Sequence, residues 1–256
     1  MIIIEKILTE GWSAAIRGMR NPMDSWELGD SGYLCANYDP INWGLRCGEQ
    51  KCCFMRKGDN DCSCFIPDME QFKLGPNDLK LAKQLASADA DSHSKFLRMI
   101  TVSMDVTAPL YWWKEYDTYK VGTVANSCST MHRIHVKELT LDDFSHDHLL
   151  NYMCSEADNY KAIKPEDALV NTINMINESR NRFLSIGKDD PARRKMFWWQ
   201  MIQLLPSSYN QKRTIHLNYA VMKNIYHDRR NHKLDEWQEF CKMIETLPYA
   251  KDLICN

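Results

Sequence analysis

The chain has 256 residues, 44% hydrophobic and 26% charged, with 34 acidic against 32 basic side chains for a formal charge of −2. This balance supplies a substantial core and excludes a disordered chain. It also lacks the broad basic field that nucleic acid or an acidic membrane would require, so neither is expected as a partner.

The opening MIIIEKIL is interrupted by Glu5 and precedes no small-residue cleavage site, so it reads as a first strand over residues 2–8 rather than a signal peptide. No run of about 18 apolar residues occurs, and no transmembrane helix is expected. A cytoplasmic location with reduced thiols is the resulting expectation. Thr9–Gly18 reads as a short helix. A Cys-rich inserted loop at about 29–67 then carries six of the ten cysteines: Cys35, Cys47, Cys52, Cys53, Cys62 and Cys64. Four thiolates suffice for a structural zinc site. The spacing holds no C-x2-C pair, however, so free or partly buried thiols are expected and no metal is assigned.

Asn77 is placed as N-cap of a helix from Asp78 to Ala88, with Leu79, Leu81, Ala82 and Leu85 on its apolar side. The β-branched run from Phe96 to Val106 predicts a strand, ended by Pro109. Tyr111–Lys120 is aromatic and helix-compatible, and residues 121–133 are small and polar. Pro165, Glu166 and Asp167 open the clearest helix, with Leu169, Ile173, Ile176 and Phe183 on one face up to Gly187. Further helices are predicted over Pro191–Leu205, Ile215–Arg229 and Leu234–Leu247. The elements describe one α+β domain spanning residues 1–256, helix-rich in its second half.

Two stretches carry possible chemistry. In YWWKEYDTYK, the rings of Tyr111, Trp112, Trp113, Tyr116 and Tyr119 alternate with charges, a pattern that stacks a flat ring or else packs a buried helix. The small, hydroxyl-rich stretch after it, from Gly122 to Thr130, brings backbone N–H groups to a phosphate or forms a plain polar loop. His146 and His148 stand among Asp142, Asp143 and Asp147. That loop reads as solvated, with Ser145 or Asp147 capping a helix at its end.

The segment LPSSYNQKRTIHLNYAVMKNIYHDR, from Leu205 to Arg229, resembles the flavin-dependent thymidylate synthase family. That family has a Leu-Pro pair, a short strand-like connection, and a helix with two asparagines that ends in arginine. Leu205-Pro206, Asn218, Asn224 and Arg229 match this spacing without a gap. At about 100° per residue, Asn218 and Arg229 fall on nearly one helix face, with Asn224 beside it. The family's signature is Arg-His-Arg, four residues, Asn-Glu, one residue, Ser, one residue, Arg-Tyr. Aligned on Asn126 and Ser129, this chain has Tyr119-Lys120-Val121 for Arg-His-Arg, Ser127 for the glutamate and Met131-His132 for Arg-Tyr.

The resemblance covers roughly residues 90–245. It implies an α+β fold, helix-rich, with a central, mostly antiparallel sheet. It assigns Asn224, Asn218, Lys120 and Asn126 to the flavin, and Ser129 and Arg229 to the nucleotide. It further implies a homotetramer with sites between subunits, using FAD, NADPH and methylene-tetrahydrofolate to methylate dUMP or a related pyrimidine nucleotide. The family uses no protein nucleophile, so no catalytic residue is assigned. Three signature arginines are missing, and lysine does not replace their bidentate donors, so FAD is expected to bind weakly. Two alternatives stand beside this reading. One is a homologue that keeps the fold and nucleotide binding without methyl transfer. The other is an interaction protein stabilised by metal in the Cys-rich loop.

Overall fold

A computed structural model describes residues 1–33, 72–88, 92–152 and 164–256 of the chain. The six clustered cysteines, Cys154 and most of the predicted inserted loop lie outside the described residues.

Strict alternation makes the central strand. In β4 (Thr101–Pro109), Val102, Met104, Val106 and Ala108 are buried, while the intervening Thr101, Ser103, Asp105 and Thr107 line the other face. β1 (Ile3–Glu10) pairs antiparallel on one side of β4, and β6 (Asn210–Asn218) on the other; β5 (Thr123–Ser127) pairs antiparallel with β6. The order β1-β4-β6-β5 is that of an antiparallel sheet of an α+β protein, as expected. Its core face packs on the aromatic residues of α3 (Leu110–Tyr116), α7 (Tyr219–Arg229) and α8 (Asp235–Thr246). The same cluster takes in α1 (Trp12–Arg20), α2 (Pro76–Ala86) and α9 (Ala250–Leu253). The long helices α5 (Pro165–Ser185) and α6 (Pro191–Leu204) build a second apolar cluster around Ile173, Ile176 and Met201. Among the described residues, no helix is long and apolar enough to cross a membrane.

Several predicted boundaries move, each for a local reason. The strand predicted from Phe96 begins only at Thr101: Phe96, Leu97 and Ile100 recur with helical spacing and are buried, and Ser94–Met99 forms 3-10 turns. Pro109 is the last strand residue, opposite Asn210, where the ladder ends and its missing N–H costs nothing. The helix predicted from Ile215 begins at Tyr219, because Ile215 and Leu217 are buried about an exposed His216, the period of a strand. Part of the small polar stretch is β5, and α4 (Thr130–Arg133) follows it. β1 runs on to Glu10, and Gly11, at φ 89°, turns the chain into α1. Any Cβ at Gly11 would sit 1.9 Å from the Met99 carbonyl oxygen.

Asn77 does not cap α2. The helix starts one residue earlier, and the Asp30 carboxylate takes that role by accepting from the N–H groups of Asn77 (2.9 Å) and Asp78 (3.0 Å). This junction is tied from the α1 side as well. Arg20 Nε donates to Asp78 Oδ1 at 2.6 Å, and Asp78 Oδ2 accepts from the N–H groups of Asp30 and Ser31. Both charged side chains are buried, at 5% and 1% exposure. Burial opposes ionisation of Asp78, but hydrogen bonds from Ser31, Arg20 and Asp30 outweigh it and hold the carboxyl below its ordinary value. Next to the pair, β2 (Gly32–Tyr33) and β3 (Phe72–Lys73) form a two-residue antiparallel ladder.

Asp78→Ala leaves the Arg20 guanidinium buried without its counter-charge, so guanidinium denaturation should register a loss of about 3–5 kcal/mol. Because the folded carboxyl titrates low, this contribution is fully present above about pH 4 and fades as pH falls through the folded value. The mutant should therefore show a flatter acid limb than the wild type.

Candidate functional site

Pro109, extended at ψ 151°, hands β4 directly to α3, which lays its aromatic run against the sheet. Trp112 and Trp113 are fully buried and Tyr116 is 2% exposed. Trp113 Nε1 donates to the Gln211 carbonyl at 2.9 Å, whereas Trp112 Nε1 and the Tyr116 hydroxyl have no hydrogen-bond partner among the described residues. These three rings are core, and none of them offers a face to a flavin. Of the two sequence readings, the buried helix holds for them. Tyr111 reaches the side instead, donating to Glu236 Oε1 at 2.5 Å, with Ser145 Oγ 3.1 Å from its hydroxyl.

The C-terminal end of α3 meets the C-terminal end of α7 in a charged cluster. Arg229 Nη1 donates to Glu115 Oε2 at 2.7 Å, and Arg229 Nε to the Tyr119 hydroxyl at 2.9 Å. The same Glu115 oxygen accepts from Trp237 Nε1 at 3.0 Å and lies 3.3 Å from His232 Nε2. The guanidinium stands over the Trp237 ring, 4.9 Å from its centroid. Tyr119 donates onward to Asp228 Oδ2. Burial raises the Tyr119 pKa against the opposing pull of Arg229, so Tyr119 remains a neutral donor. A parallel arrangement fixes Arg213: its Nη1 lies 2.8 Å from Asp117 Oδ1, and its guanidinium stands 4.3 Å from the Trp113 ring centroid.

The sequence-derived candidates divide among several places. Asn218 precedes the helix in extended conformation, and its Oδ1 accepts from the Val221 N–H as N-cap, so it does not share a helix face with Arg229. Asn224 is exposed on α7. Lys120 is exposed, two residues before Gly122, where a Cβ would lie 3.0 Å from Asn218 Nδ2. Gly122 holds φ 77°, so it supplies both the turn and this close approach. Asn126 is exposed on β5 opposite Thr214, which places it on the open side of the sheet, away from the helices. Ser129 caps α4, accepting from the His132 N–H at 3.3 Å. Thus Lys120 and Asn218 flank one turn, Arg229 lies at the far end of α7, and Asn126 and Ser129 belong to the other end of β5.

Sequence reasoning missed Glu115, His232 and Trp237 as the partners of Arg229. Glu115 and Arg229 are 114 residues apart, and no local spacing announces their pairing. The loop histidines are engaged separately: His146 Nδ1 is 2.9 Å from the Phe144 carbonyl, and His148 Nε2 is 3.1 Å from Asp235 Oδ2. No group of three or more metal-ligating side chains gathers among the described residues.

No protein-family model matches this chain, and no curated protein does. Solved structures do. The chain is similar to the flavin-dependent thymidylate synthase ThyX from Helicobacter pylori complexed with FAD and dUMP, with TM-score 0.54 and 14% identity over 99% of this chain and 97% of that one. A second Helicobacter pylori ThyX structure with FAD and dUMP gives TM-score 0.54 and 14% identity, over 99% and 96%. At this identity the likeness is one of fold.

Arg229→Ala removes the cross-link between α7 and α3. Both partners are partly solvated, so the loss should be about 1–2 kcal/mol in denaturant unfolding. An unchanged midpoint would show that the cluster holds nothing together.

Proposed function

We propose that this chain is a divergent thymidylate-synthase-like protein that binds a pyrimidine deoxynucleotide such as dUMP, with FAD as a weakly held cofactor and methyl transfer to the pyrimidine as its reaction class. The observation that carries the reading is the fold likeness over nearly the whole chain, joined to the family spacing of Asn218, Asn224 and Arg229 on β6 and α7. NADPH and methylene-tetrahydrofolate are proposed as reductant and carbon donor. A flavin would be held by Asn224, Asn218, Lys120 and Asn126, and the nucleotide by Ser129 and Arg229. These residues lie on different faces and ends of one chain, which supports sites completed between subunits of a homotetramer. The protein is proposed to work in the cytoplasm as one domain.

A second reading, a homologue that keeps nucleotide binding without methyl transfer, is favoured by one specific observation. The rings of Trp112, Trp113 and Tyr116 are buried, leaving Tyr119 and exposed Lys120 as the remnant of the signature platform. Each lost charge-assisted hydrogen bond is worth roughly 1.5–3 kcal/mol. Purified protein should accordingly be colourless, with FAD fluorescence quenched only at micromolar or higher concentration and slow NADPH oxidation. Tightly retained FAD after dialysis would discard the weakened platform. Binding of dUMP without FAD at any accessible concentration would select the second reading.

Sedimentation at micromolar concentration should give a homotetramer. A strict monomer would remove the shared-site arrangement.

A further inference from the structure

A cavity of about 540 Å³ opens between β1, an edge strand of the sheet, β3 and the turn from α8 to α9. Its size falls within the range of roughly 300–1,000 Å³ usual for small-molecule sites. None of the residues given a ligand role above lines it. It also lies apart from the Arg229 cluster. Trp237, which covers that guanidinium, stands near the start of α8, whereas Thr246, on the cavity wall, ends the helix roughly 13 Å further along.

The floor of the cavity is apolar and its mouth is not. Trp12, Phe72 and Leu247 are buried. The Trp12 and Phe72 rings lie 16° from parallel with centroids 6.3 Å apart, a direct ring pair with no gap for a third, and Tyr249 meets Trp12 edge-on at 5.5 Å. Around the mouth, Leu8, Lys73, Thr246 and Pro248 are exposed. Among the described residues that line the cavity Lys73 alone is charged, and it makes no ion pair with any described residue. The backbone is bent to shape this wall. Tyr249 holds φ 56° and ψ 13°, a left-handed conformation unfavourable to a bulky side chain, and its hydroxyl accepts from the Leu74 N–H at 2.9 Å. On β1, Lys6 holds φ 53° at the register shift between Glu5 and Leu8, so the strand turns where it reaches the cavity. Backbone strain of this kind gathers at ligand sites.

We propose that this cavity is a binding site for a small aromatic carboxylate, independent of the nucleotide reading above. The ring of the ligand lies on the apolar floor made by Trp12, Phe72, Tyr249 and Leu247, and its carboxylate meets Lys73 at the mouth. The floor offers a charge no partner, so the ligand must carry its polar group at one end. The lone ammonium at the rim selects an anion there.

Calorimetry of the full chain with cinnamate and with its uncharged amide, cinnamamide, tests this directly. Cinnamate should bind with a dissociation constant of about a millimolar or tighter, and about threefold or more tighter than the amide. Lys73→Gln should abolish that preference by weakening cinnamate alone. Leu8→Trp narrows the mouth and should weaken both ligands by about tenfold. Both substituted residues are exposed, so the fold is expected to tolerate either change, and the wild-type comparison decides the matter without them. Absent binding, or equal affinity of the wild type for acid and amide, overturns the proposal. So does unaltered binding to Leu8→Trp, which would put the ring elsewhere. Saturating dUMP should leave cinnamate affinity unchanged. Displacement by dUMP would place cinnamate in the nucleotide site and overturn the proposal while the nucleotide reading stands.

Discussion

Trp112 is wholly removed from solvent, and its ring meets four others: Trp113 at 4.8 Å, Tyr116 at 5.3 Å, Trp237 at 4.6 Å and Phe240 at 5.5 Å between centroids. Such pairs contribute roughly 0.5–1.5 kcal/mol each beyond the area they bury. More important here is the structure they hold. α3 grows directly out of the central strand, and Trp237 and Phe240 belong to α8, so this packing locks the sheet to the C-terminal helices. With α3 fixed, Glu115 and Asp117 come to rest against Arg229 and Arg213. The charge pairing follows from the aromatic packing, and Trp112 Nε1 and the Tyr116 hydroxyl, both without a partner among the described residues, are the cost of placing those rings there.

The opposite face of the sheet is built on other terms. Ser103 Oγ lies 2.9 Å from His216 Nδ1, Thr214 Oγ1 donates to Asp105 Oδ1 at 2.7 Å, and Lys212 Nζ reaches Glu5 Oε2 at 3.1 Å. The first two are cross-strand neighbours on β4 and β6, and the third reaches over β4 from β6 to β1, so this face pairs polar groups instead of burying apolar ones. Asn126 on β5 extends the same surface. One chain therefore presents an apolar face sealed by helices and a polar face of paired side chains, and the candidate ligand residues are divided between the two.

Elements governed by local periodicity were legible in the sequence. The Pro165 helix runs Pro165–Ser185 with Leu169, Ile173 and Ile176 buried, as its one-faced spacing requires, and Pro191 opens α6. The features that resisted reading were set by distant partners. Asp30 took the cap expected of Asn77 because the chain returns beside it 47 residues later. β5 looked like loop because an edge strand exposed on both faces has no hydrophobic alternation to display. The aromatic run was ambiguous by itself; only the arrival of Trp237 and Phe240 decides that it is core. At the candidate site, the spacing located Arg229 but could not reveal the carboxylate that neutralises it.

The register of the central strand bears on how the molecule is made. Thr107 of β4 pairs with Ile3, and Thr101 pairs with Asn218, so the strand's neighbours lie roughly a hundred residues away in either direction along the chain. On a ribosome, β1 and β4 emerge with the first half of the chain, while β6 appears only near its end. Until then the apolar face carrying Val102, Met104 and Val106 has one strand beside it and neither α7 nor α8 above it. Pairings of such high sequence separation form slowly, and unpaired strand edges on incomplete chains invite association. The sheet's topology therefore leaves one edge of β4 and its apolar face uncovered until β6, roughly a hundred residues downstream, has been made.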